Sequence, residues 1–289
     1  LGLPYGAPYS MEDVTCDQSD APTAIRRSWQ RALRALERWD FDLGGPLLDG
    51  RDIRVVDCGD VPGDPYESMK HYRLAEEAAR KIISAGAQII SLGGDHGVPI
   101  PVFRALSSWP GLDEKITLVH VDAHADVNDE MFGERETHGT VFRRAYEEGL
   151  LVPDLVYQIG LRGTGYTAED FSEAAGWGFN MITAPEIWHK SLTPLGQEIR
   201  QAIGDHPCYL TYDIDSLDPA YAPGTGTPEI GGLTTPQAME LIRSLRGLNI
   251  VGFDMVEVSP IYDTSGNTAL TAANLMFEIL SILPGVSYR

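Results

Sequence analysis

Apolar positions along the chain gather in short unbroken runs, separated by stretches in which they recur every three or four residues. The runs at 53–57, 88–92, 116–121, 155–159, 209–212 and 249–255 are rich in Ile, Val, Leu and Tyr and end at polar residues or glycine. Runs this short, bounded by turn formers, predict strands buried on both faces. Helical spacing occupies 69–85, 103–106, 195–203 and 236–245. At the last of these, Thr235 and Pro236 predict an N-cap and a first helical residue, since proline lacks the amide that would stay unpaired there. Alternation of strand and helix predicts right-handed βαβ units, and hence an α/β fold of three layers, αβα, around a mostly parallel sheet. No repeat, low-complexity tract or charge run divides the chain. One domain is therefore expected over 1–289, with 1–50 as an N-terminal segment and first helix and 51–289 as the core.

Composition narrows the class without naming a function. A chain of 289 residues with 43% hydrophobic and 22% charged residues fits a globular protein with a large core. No stretch reaches the roughly 18 apolar residues of a membrane span, and residues 1–10 lack the basic start and apolar middle of a signal peptide. The expected location is the cytoplasm. With 22 basic against 42 acidic residues the formal charge is −20, which argues against a nucleic acid or an anionic membrane as partner. Metal ions and cationic small molecules suit such a field better, although an acidic surface also serves solubility alone. Cys16, Cys58 and Cys208 are too few and too scattered for a disulfide framework or a CxxC metal site, and are expected as reduced, mostly buried thiols.

Ligands of open α/β sheets bind at the carboxyl ends of strands. Three polar clusters fall there. They are Gly93-Gly94-Asp95-His96, then Asp122-Ala123-His124-Ala125-Asp126, then Asp213-Ile214-Asp215-Ser216-Leu217-Asp218-Pro219. Side chains two apart on an extended strand share a face, so Asp122, His124 and Asp126 are expected to converge, as are Asp213 and Asp215. With His96 they make two imidazoles and four carboxylates, too many for one ion and enough for two neighbouring coordination spheres. Oxygen-rich sites of this kind favour manganese, with nickel, cobalt or iron as alternatives. Taken singly, each cluster has a plainer explanation: Asp95 and His96 as helix caps, Asp213 and Asp215 as partners of loop amides. Three clusters at three strand ends are harder to explain that way.

These segments resemble the signature motifs of the ureohydrolase family, which contains arginases, agmatinases and guanidinobutyrases, and the likeness runs from about residue 53 to the C-terminal helix. It extends to His138-Gly139-Thr140 and to Glu257 in Asp254-Met255-Val256-Glu257-Val258-Ser259-Pro260. The resemblance implies an arginase-like fold in which His96, Asp122, His124, Asp126, Asp213 and Asp215 hold two manganese ions bridged by hydroxide. It implies hydrolysis of a guanidino C–N bond to urea and an amine, with Asp126 orienting the nucleophile, Glu257 pairing with the guanidinium and His138 delivering a proton to the departing amine. It also implies a homo-oligomer, a trimer or hexamer, with a hetero-oligomer as the alternative. Asp95 and Asp218 are expected to buttress the ligands.

The loops at 127–134 and 160–166 look most like those of guanidinobutyrases, and are expected to meet the far end of the substrate. Asn128 is a candidate polar contact there, and Arg162 either a partner for a substrate carboxylate or a loop anchor. In two places the chain departs from the family pattern. Residues 6–22 are acidic where relatives carry an Arg- and Gly-rich segment, which suits an N-alkylated guanidine or a biguanide. Gly97 follows His96 where a hydroxyl residue is common, which is expected to loosen the surroundings of the site. Three other classes compete with this reading: a non-catalytic subunit of such an enzyme, a single-zinc amide hydrolase and a two-metal phosphatase.

Overall fold

The computed structural model describes residues 1–6, 18–32, 36–48, 51–63, 67–165, 167 and 169–286. The chain opens with β1 (Gly2–Leu3) and α1 (Ala21–Ala32), then α2 (Ser68–Ser84), β2 (Ile89–Gly93) and α3 (Pro99–Ser107). β3 (Ile116–Val121) leads into α4 (Val141–Glu147), followed by β4 (Leu151–Leu161), α5 (Asp170–Gly176), β5 (Asn180–Thr183), α6 (Ala184–Ile187) and α7 (Thr193–Ile203). β6 (Pro207–Asp213), α8 (Thr235–Ser244), β7 (Asn249–Val256) and α9 (Asn267–Ile282) complete the order.

All seven strands are parallel, in the order β1-β2-β7-β6-β3-β4-β5. Alternate side chains of the central strands enter opposite cores. Val119, Val121, Leu210, Tyr212, Phe253 and Met255 pack with α1, α7, α8 and α9 on one face. Leu118 and Tyr209 pack with Phe103 of α3 and Phe142 of α4 on the other. Helices on both faces explain why these strands read as unbroken apolar runs. The expected three-layer α/β architecture is therefore present.

Some expected elements differ. Residues 53–57 form no strand, and Val56 is 68% exposed. β1 is hydrogen-bonded beside β2, and its outer edge is met by Asp60, through an isolated bridge to Gly2, rather than by residues 53–57. The last-but-one helix is capped by Thr234 rather than Thr235: Thr234 Oγ1 accepts from Gln237 N at 3.3 Å while Gln237 Oε1 accepts from Thr234 N at 3.1 Å. Proline thus takes the second helical position, and the reciprocal pair with Gln237 decides the start. Of the cysteines, Cys208 is buried but Cys58 is exposed, and Cys16 lies outside the described residues.

Candidate metal centre

The carboxyl ends of β2, β3 and β6 lie on one side of the sheet because the strands are parallel, with β6 beside β3 and only β7 between β6 and β2. The loop after β2 is held from two sides. Gly94 N donates to Leu3 O at 3.0 Å and Asp95 N to Tyr5 O at 2.8 Å, while Glu257 N donates to Gly94 O at 2.9 Å. A side chain at residue 94 would put its Cβ 1.8 Å from the Tyr5 carbonyl, so only glycine lets β1 pass this close. Gly97 is required for another reason. A Cβ there would lie 2.1 Å from the Tyr72 hydroxyl, so the buried Tyr72 already fills the space expected to be loose.

Three carboxylates meet His96. Its Nδ1 lies 2.9 Å from Asp122 Oδ2, 3.0 Å from Asp126 Oδ2 and 3.2 Å from Asp213 Oδ2. His124 Nδ1 lies 3.1 Å from Asp215 Oδ2 and 3.5 Å from Asp122 Oδ1. All six expected ligands are thus brought together, but not by strand alternation. Asp122 to Asp126 lie beyond the end of β3, and Asp126 turns back with φ of 53°; Asp215 sits in a 3-10 turn after β6. Backbone amides lace the loops: His124 N donates to Asp122 Oδ1 at 2.6 Å, Ala123 N to Asp215 Oδ1 at 3.1 Å and Asp215 N to Asp213 Oδ1 at 2.8 Å.

The donor chemistry suits a metal. Thr211 Oγ1 donates to Asp254 Oδ1 at 2.6 Å, so it must accept from His96 Nε2–H, 2.8 Å away. This leaves the Nδ1 lone pair pointing among carboxylates, and among the described residues that buried atom has no hydrogen bond of acceptable geometry. Two overlapping groups offer ligand atoms within 4.8 Å of one another: His96, His120, Asp122 and Asp126, and Asp122, His124 and Asp215. His120, hidden in the apolar run of β3, was not anticipated as part of the site. Gln158 Nε2 donates to its Nδ1 at 2.8 Å and to Ala125 O at 2.7 Å, so His120 Nε2–H donates to Asp122 Oδ2 at 2.7 Å. With both nitrogens engaged, His120 orients Asp122 rather than offering a lone pair.

Electrostatics follow from this crowding. Burial pulls the His96 and His124 imidazoles down, but Asp122, Asp126 and Asp213 around the first and Asp215 and Asp122 around the second lift both well above the ordinary histidine range. Burial, together with the neighbouring carboxylates, raises Asp213 and Asp215 above the usual carboxylate values. Burial also works against ionisation of Asp122, yet His120, His124 and His96 hold it well below. Such a cluster attracts either protons or cations.

A cleft of about 430 Å³ opens beside His124 and Asp126 and reaches His138, Asn128, Thr164 and Glu229. The 218–233 loop contributes Thr227, Pro228 and Glu229 to its wall. His138 is bound to this wall near Asp95, whose Oδ2 is 3.7 Å from His138 Nδ1. Asp95 Oδ1 accepts from Gly97 N at 3.0 Å, directly after His96. Asp218 accepts from Ala220 N at 2.9 Å and Gly231 N at 2.7 Å and staples its own loop. Asn128 Nδ2 donates to Gly139 O at 3.0 Å. Arg162 directs its donors at main-chain carbonyls, Asp215 O and Glu229 O at 2.7 Å, Gly160 O at 3.1 Å and Ile230 O at 3.2 Å. Of its two expected roles, this geometry is that of the loop anchor. Glu257 lies behind the cleft, 3% exposed, with Oε1 accepting from His96 N at 2.7 Å and Oε2 from Gln18 Nε2 at 2.8 Å. Among the described residues only four non-glycine residues have positive φ, and Asp126 and Glu257 are two of them. Strain of this kind persists where surrounding structure imposes it, and it clusters at functional sites.

A parallel α/β sheet with an imidazole–carboxylate cluster at its strand ends, beside a cleft, and the likeness of the chain to known guanidino hydrolases define an enzyme of the ureohydrolase class. The chain belongs to the Arginase family, whose model matches residues 4–281. It is 54% identical to a guanidinobutyrase from Pseudomonas aeruginosa, over 93% of this chain and 85% of that protein. It is 49% identical to a mitochondrial agmatinase from Gallus gallus, over 87% of this chain and 72% of that one. Among solved structures, proclavaminate amidino hydrolase from Streptomyces clavuligerus superposes with a TM-score of 0.82 at 33% identity, covering 96% of this chain and 89% of that one.

Proposed function

We propose that the protein is a binuclear-metal hydrolase that cleaves a guanidino C–N bond of a small guanidino compound, releasing urea and an amine. The observation that carries this reading is Asp122, whose two oxygens face His96 on one side and His124 on the other. A carboxylate so placed can serve two ions. In this reading His96 with Asp122, Asp126 and Asp213 holds one, and His124 with Asp122 and Asp215 the other. The oxygen-rich set favours manganese, with nickel as the alternative. Divalent ions held there supply a nucleophile near neutral pH by lowering the pKa of water.

The protein's own groups do the rest. Asp126, on the cleft wall, orients the attacking water. Glu257 pairs with guanidinium nitrogens and fixes the guanidino carbon. The water oxygen adds to that carbon and gives up a proton, the bond to the alkyl-bearing nitrogen breaks as that nitrogen takes a proton from His138, and the two protons lost from the water oxygen as urea forms restore His138 and complete the ammonium of the amine. Burial disfavours the charged imidazole of His138, but Asp95, Glu257 and Asp126 outweigh it and raise its pKa, a shift in the direction that suits a proton donor.

Likeness to the guanidinobutyrase supports a guanidinobutyrate-like substrate. The cleft lining favours an agmatine-like or N-alkylated one, because Arg162 is committed to main-chain carbonyls and Glu229 stands on the same wall. Residues 7–17, which include most of the acidic N-terminal segment, lie outside the described residues. We further read the chain as one domain, since a single sheet takes strands from Gly2 to Val256, and as a cytoplasmic homo-oligomer, trimer or hexamer, with a hetero-oligomer as the alternative. No described helix is long and apolar enough to cross a membrane.

The decisive experiment is a urea-release screen over arginine, agmatine, guanidinobutyrate, guanidinopropionate, guanidine and biguanides, with manganese and nickel compared. Urea from at least one is expected, and Asp126→Asn should abolish it. Silence on every compound overturns the reading.

A further inference from the structure

Glu257 is held by a residue outside every metal-site motif. Gln18 lies 239 positions earlier in the chain, is 0% exposed, and its side-chain amide donates to Glu257 Oε2 at 2.8 Å. Its place is set by the start of α1, where Ala21 N donates to Gln18 O at 3.0 Å, and α1 is anchored on α9, with the Trp29 and Phe277 rings 6.2 Å apart. The other carboxylate oxygen accepts from His96 N at 2.7 Å. Among the described residues each oxygen thus has a donor, and the two together fix the plane of the carboxylate. A guanidinium pairs with a carboxylate most strongly in that plane, through parallel N–H···O bonds, so the plane decides where the guanidino carbon comes to rest. Each carboxylate oxygen has two lone-pair sites, so the bond from Gln18 does not by itself exclude a substrate nitrogen from Oε2.

The type of residue matters as much as its position. A neutral amide orients Glu257 without cancelling its charge, whereas lysine or arginine there would neutralise the group meant to attract a cation.

We propose that Gln18 is a positioning residue for the substrate's guanidinium, acting by fixing the Glu257 carboxylate; this rests on the reading of Glu257 as the guanidinium partner. The N-terminal segment then belongs to the substrate-recognition machinery through a defined contact.

Two variants of the full-length, metal-loaded enzyme test this, using whichever of guanidine, agmatine or guanidinobutyrate the wild type hydrolyses fastest. Gln18→Met keeps the length of the side chain but removes the donor, and kcat/KM should fall about tenfold to a hundredfold, the scale of loss from a misplaced reacting group. Gln18→Lys restores a donor but adds the opposing charge, and its loss should fall mainly on KM. Metal content and Tm should match the wild type in both. Unchanged kcat/KM in Gln18→Met overturns the proposal, and so does a loss that tracks released metal or a lowered Tm, which would make Gln18 a folding residue. No urea from the wild type on any guanidine instead removes the underlying reading, and the proposal with it.

Discussion

Asp122 illustrates how much of the site depends on residues that bind nothing themselves. Its carboxylate faces both imidazoles, and it is aimed by a relay that runs from Gln158 through His120. The amide of Gln158 fixes the tautomer of His120, and the tautomer puts an N–H on Asp122 Oδ2. Gln158→Leu leaves every ligand in place but removes the first member of this relay. Metal affinity should fall about 10- to 100-fold, as outer partners of metal ligands usually cost. Competition with a calibrated chelator measures it, and affinity equal to wild type would falsify the relay. The candidate ligands themselves are legible because each sits in a short motif at a strand end. His120 carried a usable signal, being two positions before Asp122 on the same face, but its apolar neighbours disguised it. Gln18 and Gln158 carried none, because a hydrogen bond across 239 or 38 residues leaves no local pattern.

At the level of elements, the start of α8 offers a clean test. Thr234 and Gln237 satisfy each other's main-chain amides, whereas Thr235 is the first helical residue. Thr234→Ala should cost about 1 kcal/mol and lower the midpoint of thermal unfolding, while Thr235→Ala should change it by a few tenths at most. Equal effects would return the cap to Thr235. The same contrast between local and long-range information explains which strands were legible. β3 coincides with its apolar run at 116–121, and β7 extends the run at 249–255 by one residue, because central strands covered by helices on both faces must be apolar throughout. β5, four half-buried residues reading Asn-Met-Ile-Thr, and β1, two residues long, are edge strands defined by their neighbours rather than by their own composition. Residues 53–57 show the complementary case: their composition is strand-like, but the outer edge of β1 is met by Asp60 instead.

For the molecule as a whole, the candidate metal centre ties together loops that follow β2, β3 and β6, so its charge state feeds into global stability. Without metal, His96 and His124 have raised pKa values in the folded protein. A raised folded pKa gives stability that is complete below the unfolded histidine value of about 6.5 and is lost as pH climbs toward the folded value. Asp213 and Asp215 are raised as well, so ionising them also weakens the apo fold with rising pH; Asp122, which is lowered, acts the other way, but its contribution is complete above the ordinary carboxylate range. Metal binding uses the deprotonated ligands, so affinity rises over the same interval. A ligand that binds only the folded state stabilises it by about 2.7 kcal/mol at a free concentration 100 times its Kd. The gap in Tm between metal-loaded and EDTA-treated protein should therefore widen from about pH 6.5 to about pH 8.5, through a falling apo Tm and a tighter metal complex. Thermal unfolding of both forms across that range measures it, with calorimetry in two buffers of different ionisation enthalpy counting the protons released. A gap that stays constant, or binding without proton release, would mean that these imidazoles and carboxylates do not share their protons with the metal site.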